Sequence, residues 1–261
     1  QPGKYDGYII GDVPADAFGP ENLKLLANRV RDGAGLLMTG GFHNFGAGGY
    51  SETPLADVLP VAMSPTERTP PDEIDPTLQH EGQLQMLPTA LGLQRFIMRL
   101  DVPEKSVQRW RSRPPLSGAT RLQAKNNFVE VLAEAEDGTP LLFAVDARPA
   151  RVAAFAGDTT RLWFTHGMHE EHQRFWRQMI LWLSRKDQEA EQGVWARVDP
   201  RNFPPKQVVE VTFGARNEKG EPYADAVFQA DVKTPSGEVL PLSAQKGDEH
   251  GIADISETAT P

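Results

Sequence analysis

GAGLLMTGGFHNFGAGGY, residues 33–50, is the stretch on which the fold turns. A short apolar run, Leu36-Leu37-Met38, opens into a loop in which seven of the seventeen residues from Gly33 to Gly49 are glycine. Glycine is used where a chain takes positive φ or lets another backbone or a ligand come close. A buried strand ending in such a loop is the arrangement at which open α/β sheets place their sites.

Upstream, residues 5–12 (YDGYIIGD) have the run of a second buried strand, with Asp12 at its C-terminal end. Between the two strands, Gly19-Pro20-Glu21 supplies a helix start, with proline suited to the first helical position and an acid in the first turn. Leu23, Leu26, Ala27 and Val30 fall at i, i+3, i+4 and i+7, one apolar stripe, and Gly33 closes the helix. This succession predicts a βαβ unit with a right-handed crossover, and hence parallel pairing of residues 35–39 with residues 8–11. Asp12 then stands at the edge where sites form, or simply caps the turn before Val13-Pro14.

Downstream, residues 53–61 (TPLADVLPV) have the look of a short helical turn. Residues 64–85 are polar, hold four prolines and show no period, so a flap, a partner surface or a mobile segment is expected. Arg109, Arg111 and Arg113 alternate around Trp110; they either hold an anion or form a solvated face over one packed tryptophan. Residues 128–133 and 141–145 predict a hairpin about Glu136-Asp137-Gly138, and residues 151–156 another buried strand ending in Gly157-Asp158-Thr159-Thr160. A long helix is predicted over 169–185, with His172, Phe175, Trp176, Met179, Ile180 and Leu183 on its apolar stripe. Beyond a charged connector at 186–192 the pattern changes to short strands at 208–213, 226–233 and 239–242. Turn signals at Asn217-Glu218-Lys219-Gly220 and Pro235-Ser236-Gly237 separate them, with no helix between. That predicts a small β-sandwich, Ig-like in spacing but without cysteine and tryptophan marks, and short enough to lack a last strand.

The chain's 261 residues are comfortable for two domains, and 39% hydrophobic content allows a real core. A net charge of −9 without any Lys/Arg cluster argues against nucleic acid as a partner. Cysteine is absent, which excludes disulfides, thiolate metal sites and a cysteine nucleophile together. No apolar run approaches the ~20 residues of a membrane span, and no signal-peptide pattern opens the chain. Gln1 stands a few residues before the first strand, so a piece of a longer polypeptide is expected.

In this order, YDGYIIGD (5–12), GAGLLMTGG (33–41) with GAGGY (46–50), PLADVLPV (54–61), RPPLSG (113–118), RVAAFAGDTT (151–160) and HQRFWRQMILWLSRKD (172–187) resemble the glutamine amidotransferase-like domain of large bacterial membrane proteins. In those proteins it accompanies transmembrane helices and a von Willebrand A domain, and an Ig-like segment follows. The resemblance implies a class I amidotransferase-like, flavodoxin-like three-layer α/β/α sandwich over residues 1–187. It further implies a linker at 188–192 and an Ig-like β-sandwich over 193–261. The implied location is extracytoplasmic, on the periplasmic side, as the soluble part of a membrane-anchored protein.

The resemblance does not extend to the activity. Class I amidotransferases carry a cysteine in a tight G-x-C-x-G turn, activated by a histidine from a later His-x-Glu strand end; the thiolate attacks the amide and the imidazole moves the proton. The corresponding turn here, Met38-Thr39-Gly40-Gly41, has Thr39 as its only hydroxyl, and Ala156-Gly157-Asp158-Thr159 has neither histidine nor glutamate. Glutaminase activity by that route is not expected.

Two constellations remain. His166, His169 and His172 with Glu170 and Glu171 have the spacing of a divalent-metal site on one helix face, or are first-turn acids beside a core histidine. Asp12, Gly40, Gly41, His43, Asn44, Asp158 and Thr159, from three strand ends, form a candidate ligand-binding edge, or the glycines only let the chain turn. The function left in front is a non-catalytic binding or scaffolding module of a bacterial envelope protein, without cofactor, whose partners are other domains of the same membrane-anchored polypeptide or envelope proteins. Two others stay open: a hydrolase using Asp158 with His172 or a metal, Thr39 being a further catalytic candidate without an evident base, and a carbohydrate-binding module at the same edge, by fold analogy.

Overall fold

The βαβ unit forms where the glycine stretch places it. Strand β1 (Gly7–Ile10), helix α1 (Pro20–Arg31) and β2 (Gly35–Thr39) follow in order, and β1 and β2 run parallel, Gly7 opposite Gly35 and Ile10 opposite Met38. Helix α1 begins at Pro20, whose fixed φ suits the first turn and whose missing N–H is not needed there. Its stripe, Leu23, Leu26, Ala27 and Val30, is buried. The computed structural model describes residues 4–101, 103–147, 149–187, 193–198, 209–215, 223, 226–233, 237–242, 245–246 and 251–255. The expected connector at 188–192, the turn at 217–220 and residues 235–236 lie outside them. The chain divides into two units, Gln1–Lys186 and Asp187–Pro261.

In the first unit β3 (Gln79–Leu84), β4 (Leu87–Pro88), α2 (Pro103–Arg111), β5 (Leu116–Thr120), β6 (Glu130–Glu134), β7 (Pro140–Ala147), β8 (Ala150–Phe155), α3 (Arg161–Thr165) and α4 (His169–Leu183) follow. The six-stranded sheet has the order β1-β2-β8-β7-β6-β4. Strands β1, β2 and β8 are parallel, while β7, β6 and β4 continue the sheet antiparallel, so it is a mixed sheet in a mixed α/β fold. Leu36, Leu37 and Met38 are successive and all fully buried; since side chains alternate, both faces of β2 are covered. Each such side chain contributes roughly 1.5–3 kcal/mol by burial. Helix α4 ends directly on β2: a Cβ at Gly35 would stand 2.4 Å from the Leu183 carbonyl oxygen.

Three expectations are corrected. Ile180 is exposed rather than on the buried stripe, because at 3.6 residues per turn it lies about 140° from Phe175. Gln178 is buried there instead, donating to the carbonyls of Phe96 (2.7 Å) and Arg99 (2.6 Å). Residues 64–85, where the lack of period gave no element, hold regular structure: Ser64 and Asp75 cap short 3₁₀ turns, and β3 pairs antiparallel with β5. Only Leu84 of β3 is buried, which is why no alternation marks the strand. Of the alternating arginines, Arg111 is exposed, Arg109 half-buried and Arg113 buried. Trp110, Trp163 and Phe175 pack edge-on to one another, ring centroids 5.6 to 5.8 Å apart, and the Arg113 guanidinium lies over Trp110 and Trp163.

The second unit holds β9 (Val194–Val198), β10 (Val209–Ala215), β11 (Ala230–Lys233), β12 (Val239–Leu242), β13 (Gln245–Lys246) and β14 (Gly251–Ile255). They form an antiparallel sheet of order β13-β14-β10-β9 and a β11-β12 pair. Among its described residues Val209, Val211 and Phe213 of β10 are buried, with Phe228 edge-on to Phe213 at 5.1 Å. Among the described residues no helix of either unit is long and apolar enough to cross a membrane.

Candidate functional site

The C-terminal ends of β1, β2 and β8 meet, and glycine is what lets them do so. A Cβ at Gly40 would come within 1.8 Å of the Ala156 carbonyl oxygen, and one at Gly41 within 2.3 Å of the Asp12 carboxyl carbon. The Gly40 N–H donates to the Phe155 carbonyl at 2.6 Å. The next residue is clamped from outside the three strands: the Gly41 N–H donates to the Thr120 hydroxyl (3.2 Å), which donates to the Gly41 carbonyl (3.0 Å), and Gln79 Nε2 donates to that carbonyl too (3.2 Å). Thr120 and Gln79 come from β5 and β3. Nothing in their sequence neighbourhood marks them, because what they recognise is a main-chain peptide.

Asn44, a candidate ligand group from sequence, is fully buried and bonded. Its Nδ2 donates to the Gly11 carbonyl and to that of Thr39 (2.5 Å), and its Oδ1 accepts from the Val13 N–H at 3.4 Å. It ties the ends of β1 and β2 together and does not face a ligand. His43 is different. Its N–H donates to Asp12 Oδ1 (2.6 Å), and its Nδ1 lies 3.5 Å from Asp12 Oδ2, with about a quarter of the side chain exposed. His43 also lines a cleft of about 270 Å³, together with Pro14, Asp16, Gly48, Arg68 and Thr69. Across the cleft Arg68 Nη2 pairs with Asp16 at 2.5 Å, and Thr69 ties its strap to the Ala47 carbonyl through its N–H (3.1 Å) and hydroxyl (3.3 Å). In the glycine loop a Cβ at Gly48 would stand 2.1 Å from the His43 carbonyl oxygen; this glycine serves tight packing.

Asp158 reaches the same edge from β8. Partial burial of its carboxyl raises its pKa, the Asp12 charge adds to this, and Arg161 opposes it. The residue as a whole is exposed, so the effect belongs to the carboxyl's local surroundings. Asp12 also acts on Tyr50, whose buried hydroxyl donates to the Val13 carbonyl (2.7 Å); burial first and that charge second push its pKa up. Thr39 and Thr159 are turned to backbone: the Thr39 hydroxyl lies 3.5 Å from the Ile10 carbonyl, and that of Thr159 accepts from the Ser117 N–H at 3.0 Å.

The histidine cluster does not converge. His169 stacks on Phe164 (centroids 4.1 Å, 10° between planes), His172 stands edge-on to Trp163 and Phe164, and His166 Nδ1 meets the Leu162 carbonyl at 2.7 Å. Among the described residues no three His, Asp or Glu side chains are placed to hold a metal ion. Burial, then the neighbouring His169, lowers the pKa of His172. Among the described residues no hydrogen bond or ion pair joins Asp158 to His172; the charges that act on Asp158 are those of Asp12 and Arg161.

No family model and no curated protein matches the chain. Among solved structures it is similar to the cytoplasmic protein STM1381 from Salmonella typhimurium LT2, with a TM-score of 0.53 and 29% identity over 69% of this chain and 72% of that one. A second, the cytoplasmic protein STM3548 from Salmonella typhimurium, has a TM-score of 0.52 and 20% identity over the same shares, a likeness of fold alone. A β-galactosidase from Rahnella sp. R3 follows at a TM-score of 0.41 and 14% identity, over 96% of this chain and 32% of that one, too distant to bear on function. Both Salmonella proteins are described as cytoplasmic, which overturns the extracytoplasmic, periplasmic-side location expected above. That expectation came from segments accompanying the domain in other polypeptides, and no residue of this chain carries it.

Proposed function

We propose that the first unit is a class I amidotransferase-like domain of the flavodoxin-like type, without the acyl-transfer dyad, whose β1-β2-β8 edge serves as a binding or scaffolding surface. The single observation that carries this is the commitment of the Gly40 and Gly41 peptides. Acyl transfer needs a nucleophile and free N–H donors aimed at the developing oxyanion. Here the Thr39 hydroxyl faces a carbonyl, and both amide N–H groups are taken, one by Phe155 and one by Thr120. What stays accessible is Asp12 with His43, Asp158 and the cleft beside them. The parallel β1-β2-β8 core with α1 and α4 supports the family reading, and the two antiparallel sheets of the second unit support an Ig-like sandwich.

Carbohydrate binding is a second reading of the same edge, favoured by Phe42, which is 45% exposed next to His43 and offers an apolar face beside polar groups. The test is amide NMR of the full chain with a panel of amino acids and monosaccharides at millimolar concentration. Shifts confined to Asp12, His43 and Gly48 are expected. A panel that leaves those amides unmoved overturns the small-molecule form of this function.

A further inference from the structure

Residues 62–78 form a loop whose two ends are fastened side by side. The Ala62 N–H donates to the Gln123 carbonyl (2.9 Å) and the Arg121 N–H to the Leu78 carbonyl (2.8 Å), so both ends hang on one segment just after β5. A loop closed on itself in this way is a self-contained unit of the surface. Its own turns are kept by Ser64 and Asp75, whose side chains accept from the N–H groups of Thr66 (3.3 Å) and Thr77 (2.9 Å). Between the ends no side chain is buried; Met63, beside the first anchor, packs partly against the core, and Ile74 is exposed. Lifting residues 64–77 therefore takes no side chain of the loop out of a core, which puts this opening at the low end of the free energies a native protein offers.

What holds the loop down is polar and lies at its tip, residues 67–69. The Thr69 N–H (3.1 Å) and hydroxyl (3.3 Å) both donate to the Ala47 carbonyl. Arg68 Nη2 pairs with Asp16 at 2.5 Å, and Nη1 stands 3.9 Å from Glu52. These side chains are 46%, 70% and 60% exposed, so water and salt compete for both pairs. Beneath the tip lies the glycine stretch. A Cβ at Gly46 would run into the Glu67 carboxylate, and one at Gly49 would stand 3.3 Å from the Arg68 guanidinium. Glycine at these two positions gives the tip its seat. The cleft of about 270 Å³ opens beside it, lined by Thr69, Pro70 and Pro71 from the loop and by Pro14, His43 and Gly48 from the fold.

We propose that residues 62–78 are a hinged lid over this cleft, shut by a latch of Arg68 on Asp16 and Glu52 and of Thr69 on the Ala47 carbonyl, and that screening of the Arg68 pairs releases it. The hinges are the two anchors at Gln123 and Arg121. Opening frees the Ala47 carbonyl, the surface of Gly46 and Gly49, and the His43 side of the cleft, so the lid controls access to the β1-β2-β8 edge. That control rests on the binding role proposed for the edge; the motion itself does not.

The experiment is amide hydrogen exchange of the full chain without ligand, read residue by residue by NMR at fixed pH. Sodium chloride is raised from about 0.01 M to about 1 M, over which the screening length falls from about 30 Å to about 3 Å. The Thr69 amide reports the latch, and the Ala62 and Arg121 amides report the hinges. Thr69 is expected to be less protected than both hinge amides and to lose protection as salt rises, while the hinges stay unmoved. Arg68→Met should lower Thr69 protection by about threefold at low salt, the weight of an exposed ion pair, and remove its salt dependence. Asp16→Asn takes away the nearer partner instead and should also lower Thr69 protection at low salt, which covers an Arg68 variant that fails to fold. A Thr69 amide as protected as the hinges, or one whose protection ignores salt, overturns the proposal. The exchange is read without ligand, so its failure strikes the lid alone, whereas unmoved amides in the binding panel strike the edge reading.

Discussion

Replacing Asn44 tests how the sheet edge is held. Its side chain makes three hydrogen bonds in a fully buried position, to the Gly11 and Thr39 carbonyls and from the Val13 N–H. Each is worth about 1 kcal/mol net, so Asn44→Ala should lose about 3 kcal/mol. For a unit of this size that is roughly 6–12 °C in melting midpoint. Asn44→Asp is nearly isosteric but turns the two-donor end into an acceptor facing two carbonyls. Its carboxyl would therefore have a folded pKa well above the ordinary value of about 3.9. With the folded state binding the proton more tightly, the variant's stability relative to wild type falls as pH rises from about 4 through the raised pKa. The assay is calorimetric melting of wild type and both variants at pH 5 and pH 8. The Asp variant should trail wild type by more at pH 8, and the Ala variant by the same amount at both. An Asn44→Ala loss below about 1 kcal/mol, or an Asp deficit that does not grow with pH, would refute the buried-tie reasoning.

Gly40→Ala should fail to fold or lose at least about 3 kcal/mol, the upper end for overpacking, because the contacting oxygen belongs to the β8 backbone and cannot move aside. Gly11→Ala, with open space around the added carbon, should stay within about 0.5 kcal/mol of wild type when both variants are unfolded by urea titration. Asp12→Asn should lower the Asp158 pKa, since the Asp12 charge is one of the two influences holding it up; side-chain carboxyl NMR through a pH titration reads this directly. An unchanged Asp158 curve would separate the two groups.

The parts of the fold legible in sequence are those where apolar spacing and end signals agree. Leu23, Leu26, Ala27 and Val30 between Pro20 and Gly33 define α1 without reference to the rest of the chain. Strand β3 was not legible, because one buried residue in six leaves no alternation to find. The strand ends could be placed together from the βαβ pattern, but the use of each side chain could not. Asn44 and Thr39 look like site residues and are spent on backbone. Thr120 and Gln79 look like nothing and hold the central peptide. Arg113 sits in an alternating arginine run that suggests a solvated face, and only Trp110 and Trp163 closing over it put it inside.

The central claim is that the turn after β2 carries no acyl-transfer nucleophile. An electrophilic glutamine analogue that traps the attacking atom of an amidotransferase tests it most directly, read by mass spectrometry of the intact chain and its peptides alongside ammonia release from glutamine. No adduct and no ammonia above buffer are predicted. A single adduct on Thr39, with turnover that Thr39→Val abolishes, would contradict the account.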